Sequence, residues 1–491
     1  MKTVDAEVLK DLVSIVGEED ILKDEVDLIC YSRDCTPYFC MPEVVVFPET
    51  VNEVSEIVKL ANRRKIPITP RGAGASVTGS SLPRNGGILL SLAKMDKIKE
   101  VRPEDFYAVA ETGVLLKKLN ETLSKHNLIF PHDVGSADVC SLGGLIASNA
   151  HGHHGFKYGY IRDWVLGLEV VLPNGDVIRT GSTVLRSDCG YDLTRLFIGS
   201  QGTLGVITEA TLRVMTIPKY KASIAAFFDK IEYANKAIIR IVSSGTEPST
   251  IEIVNRFVLE RANDEFQLNF PVAETMLVVD IEGDSELSIK PRVEKIIDIC
   301  IKEKSKKVYW SDEPLEIEKF WKPRLYLDLA ISKRVKGKTN IGCLAVTDPC
   351  VPLSKIAYVI KAMEEIYRKH GLVVGISAHA GVGIIHPMVY IDTQNREEWK
   401  KAKKAEKEVI ALIKSVGGTL TGEHNVGLIK IPYTRLELGN SLELMRKIKV
   451  LLDPNNIMNP GKLGLDVEDR DSSVEFAYPS YCSDFEIDKE K

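Results

Sequence analysis

The feature that most constrains this chain is a ten-residue stretch, Pro70-Arg-Gly-Ala-Gly-Ala-Ser-Val-Thr-Gly79, placed directly after the apolar segment Ile66-Pro-Ile-Thr69. Glycines at 72, 74 and 79 let the backbone approach an anion closely, and successive N–H groups form a nest for it. The spacing is neither that of a dinucleotide fingerprint nor, without Gly-Lys-Ser/Thr, that of a P-loop. Leu82-Pro83 also prevents a helix from opening behind it. Alone, such a loop reads equally well as a tight turn. Upstream, Val44-Val-Val-Phe47 suits a buried strand, and Thr50-Val-Asn-Glu53 reads as a capping box before a helix with Val54, Ile57, Val58 and Ala61 on its apolar side. The expectation is a βαβ unit whose exit loop cradles something.

The chain has 491 residues, which at about 150 residues per domain implies two to four domains. With 44% hydrophobic and 27% charged residues the composition is globular, and a net charge of −5 gives no basic field for nucleic acid. No apolar run reaches the roughly 18 residues of a membrane span, and the acidic, lysine-rich first twenty residues have no signal-peptide core. The expectation is a cytoplasmic protein that is not integral to a membrane. Nine scattered cysteines fit reduced thiols. Cys30, Cys35 and Cys40 are too widely spaced for a zinc ribbon or ferredoxin arm and read as buried or neutral thiols.

Further along, Lys117 to Lys125 reads as a helix and Val165 to Leu172 as a strand, with Pro173-Asn-Gly-Asp176 turning before Val177. Thr203 to Met215 reads as another strand. From about 219, strand-like runs (Ser223 to Phe228, Thr275 to Ile281) alternate with charged helices (Ser285 to Lys304, Leu353 to Lys369). That pattern is α+β. The basic stretch Trp399 to Lys407 reads as the solvated face of a helix whose apolar side is Ala402, Ala405, Val409 and Leu412. The expected division is 1–218, 219–415, 416–465 and an acidic, aromatic tail at 466–491.

The glycine loop has company. Pro131-His-Asp-Val-Gly-Ser136, Ser141-Leu-Gly-Gly-Leu-Ile-Ala-Ser-Asn-Ala-His-Gly152, Lys157-Tyr-Gly159 and Arg162-Asp163 follow, then Gly190 to Ser200 and Gly202-Thr-Leu-Gly205. In this order they resemble the FAD-binding domain of the vanillyl-alcohol oxidase and p-cresol methylhydroxylase type. The resemblance implies a two-subdomain FAD-binding domain, an α+β substrate (cap) domain, and a C-terminal segment returning to the flavin. It implies that Arg71, Gly72, Ala73, Gly74, Ala75 and Ser76 wrap the pyrophosphate. Gly135, Ser136, Gly143, Gly144, Asn149, Gly152, Asp163, Ile207 and Asn459 then surround the rest of FAD. Covalently flavinylated relatives carry a histidine near the end of the first loop. Ala75 and Ser76 stand there, so the FAD is expected to be non-covalent. His151, His153 and His154 depart from the small residues usual at their positions and read as spare imidazoles beside the flavin, ahead of the alternative of a metal site of their own.

A second constellation is His379-Ala-Gly-Val-Gly-Ile-Ile-His386 with Gly418-Thr-Leu-Thr-Gly-Glu-His-Asn-Val-Gly427. Two histidines and a glutamate suit a divalent metal. Seven residues apart on one regular strand, however, the histidines face opposite ways. A bulge at Gly381 or Gly383 is needed to bring them together. On the residues alone, two hydrogen-bonded histidines near a turn is the plainer reading.

The segment also resembles the C-terminal domain of D-2-hydroxyacid dehydrogenases of the D-lactate dehydrogenase and glycolate oxidase branch. That resemblance implies His379, His386 and Glu423 as ligands of a divalent metal (Zn, Mn or Fe). It makes His424 the catalytic base, and Arg324 of Trp321-Lys-Pro-Arg324 the holder of the substrate carboxylate. Thr347-Asp-Pro-Cys-Val-Pro352 and Leu452-Asp-Pro-Asn-Asn-Ile-Met-Asn-Pro-Gly-Lys462 match further family segments. Val382 and Ile384 replace an Asp and an Asn, Asn425-Val426 replaces Gly-Ile, and Met388 replaces a polar contact. These changes weaken a dicarboxylate substrate.

The resemblance thus implies oxidation of a small D-2-hydroxy acid, D-lactate or glycolate-like, by hydride transfer to flavin N5. Electrons then pass to a protein or quinone acceptor, an iron–sulfur subunit or an electron-transfer flavoprotein among the candidates, and the oligomeric state is left open. The alternatives are a same-fold enzyme such as an alkyl-dihydroxyacetone-phosphate synthase, and a flavin-carrying electron-transfer subunit with a degenerate substrate site.

Overall fold

The structure, a computed structural model, describes residues 3–36, 38–326, 341–344, 347–392 and 395–466. The tail expected beyond Asp466 lies outside the described residues. Among the described residues no helix is long and apolar enough to cross a membrane.

Thr50 takes a hydrogen bond from the Glu53 N–H and so starts the helix Val51–Arg64. Glu53 reaches back one residue further than a capping box requires, accepting from the Glu49 N–H at 2.7 Å. The apolar side of this helix packs on a four-stranded sheet of β1 (Ile21–Leu22), β2 (Val44–Val46), β3 (Ile68–Arg71) and β4 (Ile88–Ser91). The order is β1-β2-β4-β3. β2 and β3 therefore do not pair with each other: both run parallel to β4, which lies between them. The crossover helix spans two strand positions, and the glycine loop leaves from the edge strand. Ile457 and Met458 run alongside that edge, with the Ile68 N–H donating to the Ile457 carbonyl and the Asn459 N–H to the Ile68 carbonyl.

Next come β5 (Ile98–Arg102), β6 (Tyr107–Glu111), β7 (Leu128–Ile129), β8 (Val165–Val171), β9 (Val177–Gly181), β10 (Val206–Arg213) and β11 (Met215–Thr216). Five of them form an antiparallel sheet in the order β5-β6-β10-β8-β9, and β7 pairs with β11.

The chain divides into two compact units. The first comprises Met1–Ala150, Tyr160–Ile217 and the described residues from His424 onward; the second comprises His151–Gly159 and Pro218–Glu423. The second is built on a seven-stranded antiparallel sheet. Its strands are β12 (Tyr220–Phe228), β13 (Thr250–Asn255), β14 (Thr275–Gly283), β15 (Lys307–Ser311), β16 (Ile341–Leu344), β17 (Val373–His379) and β18 (Ile384–Asp392), in the order β15-β12-β14-β13-β17-β18-β16.

Both faces of its central strands are buried, so their sequences run almost continuously apolar. The acidic residues and histidines among the exceptions all point one way. Glu252 stands opposite Val278 on β14 and opposite His379 on β17; Ser377 stands opposite His386. Since paired residues share a face and alternate residues repeat it, Glu252, Asp280, Glu282, Ser377, His379 and His386 lie on one side of the sheet. The helices Arg256–Phe266 and Pro314–Leu325 cover part of that side through Val258, Leu259, Phe320 and Trp321.

Candidate functional site

In the first unit, the glycine loop packs on the turn before the helix Leu142–Ser148. The Ser141 hydroxyl accepts from the N–H groups of Ala73 and Gly144, both at 3.3 Å. A Cβ at Gly72 would collide with that hydroxyl, and one at Gly74 (φ 73°) with the Arg71 guanidinium. Arg71 itself is buried and donates to the backbone carbonyls of Arg33 (2.8 Å) and Tyr31 (3.4 Å). Its guanidinium braces the loop from behind. The N–H groups of Gly74, Ala75 and Ser76 donate to no acceptor among the described residues, which is the donor arrangement a pyrophosphate requires. The buried Ser200 hydroxyl likewise has no partner among the described residues. These orphaned donors fit FAD.

The remaining residues assigned to the cofactor play varied local roles. Gly135 and Ser136 stand in an exposed turn, and Gly143 and Gly144 form the first turn of the helix Leu142–Ser148. Asn149 ends that helix in the left-handed conformation. Asp163 is exposed and accepts from the Tyr160 N–H at 2.9 Å. The Ile207 carbonyl accepts from the Thr112 hydroxyl. Asn459 donates to the carbonyls of Ser80 and Gln201, tying the closing segment to the loop region. Gly152 falls instead in the second unit. His424 is half-buried with φ 56°, and its carbonyl accepts from the Thr78 hydroxyl at 3.1 Å, so its backbone is fastened to the glycine loop.

In the second unit, no bulge is needed to join His379 and His386. The residues Ala380 to Gly383 make a tight turn between β17 and β18, with the N–H groups of Val382 and Gly383 both donating to the His379 carbonyl. Gly383 has φ 88°. The histidines therefore sit on adjacent antiparallel strands, diagonally placed on one face. Glu423 is held beside them because its N–H donates to the Asp348 carboxylate at 2.9 Å. Glu423 Oε2 lies 3.3 Å from Nε2 of His379 and 3.3 Å from Nε2 of His386. Ligands bound at about 2.1 Å to one tetrahedral ion stand roughly 3.4 Å apart, which is close to the spacing of Glu423 from each of the two histidines.

Three further residues join this cluster, and sequence reasoning had given none of them to the metal. Glu252, fully buried, accepts from His379 Nδ1 at 2.6 Å and from Arg324 Nε at 2.7 Å. His151 and His153, expected beside the flavin, pack on His379, with ring centroids 4.6 and 5.4 Å away. The signal for Glu252 was available: a carboxylate between two isoleucines in Thr-Ile-Glu-Ile-Val-Asn. For the histidines the signal was their departure from the small residues usual at those positions, but only the fold says which side chains they meet. Arg324 also brings Nη2 to 3.4 Å from His379 Nε2. Trp321 donates Nε1–H to the buried Asp280 carboxylate.

The electrostatics follow from burial. Burial favours the neutral acid at Glu252, but His379 and Arg324 outweigh it and hold that carboxyl down at about 2. Burial also works against a charge on His379, yet Glu252 and Glu423 raise it to about 9. Burial lowers His386 to about 4, and burial together with His379 lowers His151 to about 4. His153 lies well below its usual value, through burial and Arg324. Two carboxylates against one guanidinium leave the cluster one negative charge with its imidazoles neutral. A proton on His379 balances it, and a bound cation would take that proton's place. The donor set fits a divalent transition metal.

Residues 217–463 match the family model described as FAD linked oxidases, C-terminal domain, and residues 42–181 match that of a FAD binding domain. The chain is 34% identical over 460 residues to glycolate oxidase subunit GlcD of Bacillus subtilis, covering 93% of this chain and 96% of the relative. It is 36% identical to the mitochondrial D-lactate dehydrogenase [cytochrome] of Arabidopsis thaliana, covering 86% and 73%. To the D-lactate dehydrogenase of Archaeoglobus fulgidus it is 32% identical, covering 88% and 95%. The solved structure of p-cresol methylhydroxylase with substrate bound superimposes with a TM-score of 0.74 at 20% identity, covering 94% and 96% of the two chains. This last likeness bears on the fold alone.

Proposed function

The chain belongs to the FAD-linked oxidases, an FAD-dependent oxidoreductase of the glycolate oxidase GlcD and D-lactate dehydrogenase branch, and from that premise we propose that it oxidises a small D-2-hydroxy acid, D-lactate or a neighbour, to the 2-oxo acid with the help of a divalent metal. The observation that carries the proposal is that Glu423 Oε2 lies 3.3 Å from Nε2 of both His379 and His386, beside a guanidinium able to take a carboxylate.

When bound, FAD supplies a two-electron acceptor and the divalent ion supplies Lewis acidity. The protein's own part is to hold and deprotonate the acid. Arg324 spends Nε on Glu252. Its two Nη groups are the ones this reading assigns to the substrate carboxylate, a planar pairing that lysine would not reproduce. His424 Nδ1 or Nε2 takes the hydroxyl proton as the Cα hydride leaves. Apolar Val382, Ile384 and Met388 favour a short monocarboxylic acid over a dicarboxylate. Electrons then pass to an external acceptor, for which a partner protein is one candidate, as the word "subunit" in the name of the Bacillus relative suggests. A degenerate electron-transfer subunit has no need of an intact His379–His386–Glu423 set, which favours catalysis over that second reading.

The test is anaerobic bleaching of the flavin by D-lactate, L-lactate, glycolate and D-2-hydroxyglutarate, before and after chelation. Bleaching by a D-acid that is lost on chelation and restored by metal is the expected result. A flavin that ignores all four acids but is reduced by dithionite sinks the proposal.

A further inference from the structure

The segment His151–Gly159, which opens with His151-Gly-His-His-Gly155, belongs by its contacts to the second unit, although both flanking segments belong to the first. It is pinned in place. Tyr158 donates its hydroxyl to Glu282 at 2.7 Å, Lys157 Nζ approaches the same carboxylate at 3.5 Å, and Phe156 packs where a Cβ on Gly381 would go. The Gly155 N–H donates to the Gly152 carbonyl, and a Cβ at Gly155 would collide with the His151 ring around Nε2. That edge of the imidazole lies on the Gly155 backbone, while Nδ1 stands 4.0 Å from Glu423 Oε2.

His151 is 2% and His153 5% exposed. Each has potential donors within 4.8 Å of two other ligand types: His151 with His379 and Glu423, His153 with Glu252 and His379. The two sets are not equivalent. Glu252 already accepts from Arg324 Nε at 2.7 Å and from His379 Nδ1 at 2.6 Å, so its carboxylate is taken up in holding those two side chains. Glu423 Oε2 instead lies among three imidazole nitrogens, at 3.3 Å from those of His379 and His386 and 4.0 Å from that of His151.

We infer that His151 is a fourth protein ligand, making the centre three histidines and one glutamate. This rests on the metal-dependent reading above and extends it. Three imidazoles and a carboxylate select a divalent transition ion over magnesium or calcium. Four protein donors fill a tetrahedron, the usual complement of zinc in a structural site, and leave no place for a substrate. An ion that works on a 2-hydroxy acid here is one that accepts five or six ligands, with iron(II), cobalt(II), nickel(II) and manganese(II) ahead of zinc. His153 stays outside the set because the Glu252 carboxylate beside it is already engaged, and it packs edge-on against Trp321, ring centroids 5.1 Å apart.

The experiment is X-ray absorption at the metal edge of the full flavin-loaded chain reconstituted with cobalt(II). It is run on wild type, H151Q, G155A and H386Q, with metal retention measured by chelator competition. In wild type the expected count is three imidazoles per ion. H151Q should show two and bind at least the roughly 10–100-fold more weakly that loss of an outer-shell partner already produces. G155A keeps the imidazole but displaces it, so it should lose the same scatterer while retaining flavin. If H151Q and G155A match wild type in imidazole count and affinity while H386Q loses one, His151 is no ligand and the inference falls with the metal reading intact. If wild type takes up no stoichiometric cobalt, both fall.

Discussion

Glu252 and His379 face each other across neighbouring strands, and His379 Nδ1–H donates to the carboxylate over 2.6 Å. A carboxylate only accepts, so this bond fixes the proton on Nδ1 and turns Nε2 toward His386 and Glu423. The same carboxylate holds Arg324. One buried acid thus sets the direction of a proposed metal ligand and of the proposed carboxylate holder.

Glu252→Gln should therefore damage both. Metal affinity is expected to fall about 10–100-fold, the usual consequence of losing a ligand's outer partner. The guanidinium of Arg324 is left with a neutral neighbour, and removing one partner of such a buried pair destabilises by roughly 3–5 kcal/mol. Chelator competition and thermal unfolding read the two effects separately. Unchanged metal affinity would remove Glu252 from the centre.

His424→Ala is expected to leave flavin content unchanged while slowing anaerobic flavin reduction by about 10²–10⁴-fold, the usual contribution of a general base. His424 and Asn425 both have positive φ, 56° and 60°. Conformations of this kind are commonly held where function needs them. His424→Gly relieves the backbone and should be at least as stable as the alanine variant, yet equally slow. A glycine variant that reduces its flavin at the wild-type rate would sink the base assignment.

Gly74→Ala addresses the cofactor. Gly74 has φ 73°, and a Cβ there meets the Arg71 guanidinium, which is held by two backbone carbonyls and has little room to yield. The purified variant should carry less flavin per chain, read from the ratio of visible to ultraviolet absorbance, while cobalt uptake stays near wild type. Full flavin occupancy would show that the nest is not where the pyrophosphate lies.

Lys462 supplies a pH dependence that involves none of the proposed metal ligands. It is fully buried, Nζ donates to the Leu82 carbonyl at 2.6 Å, and burial pushes its pKa down to about 7. Between that value and the ordinary 10.5, the unfolded chain binds a proton that the folded chain does not. Stability therefore rises with pH across this window, and the penalty is fully present below it. The rise attributable to this one group across the whole window is on the order of 5 kcal/mol. Denaturant unfolding of wild type and Lys462→Met at pH 7 and pH 10 measures it. Parallel behaviour of the two proteins would rule the assignment out.

Much of this was legible along the chain. The helix starting at Thr50, the turn at Pro173 to Asp176 and the strands β8 and β14 follow from capping residues and β-branched runs, because those forces act over a few residues. The basic helix Arg396–Ser415 buries Trp399, Ala402, Ala405, Val409 and Ile413, close to its expected apolar side. The proposed ligand trio His379, His386 and Glu423 was reachable only through resemblance. Spacing alone argued against the pair, since a single strand separates them by an odd number of residues.

Local order was thus determined by the sequence itself: which segments are helix or strand, where glycine is obligatory, and that a glycine-rich loop follows β3. Pairing was decided by the tertiary structure. β4 enters between β2 and β3, the turn at Ala380 to Gly383 folds two opposed histidines onto one face, and Glu252 comes to oppose His379 from 127 residues away. Likewise His151 and His153, which read as companions of the flavin loops, are carried to the sheet by contacts that Glu282 and Gly381 make with their segment. A side chain's chemistry is written at its own position, but its pKa and its ligands depend on which strands become neighbours. That choice is made by the burial of whole apolar faces.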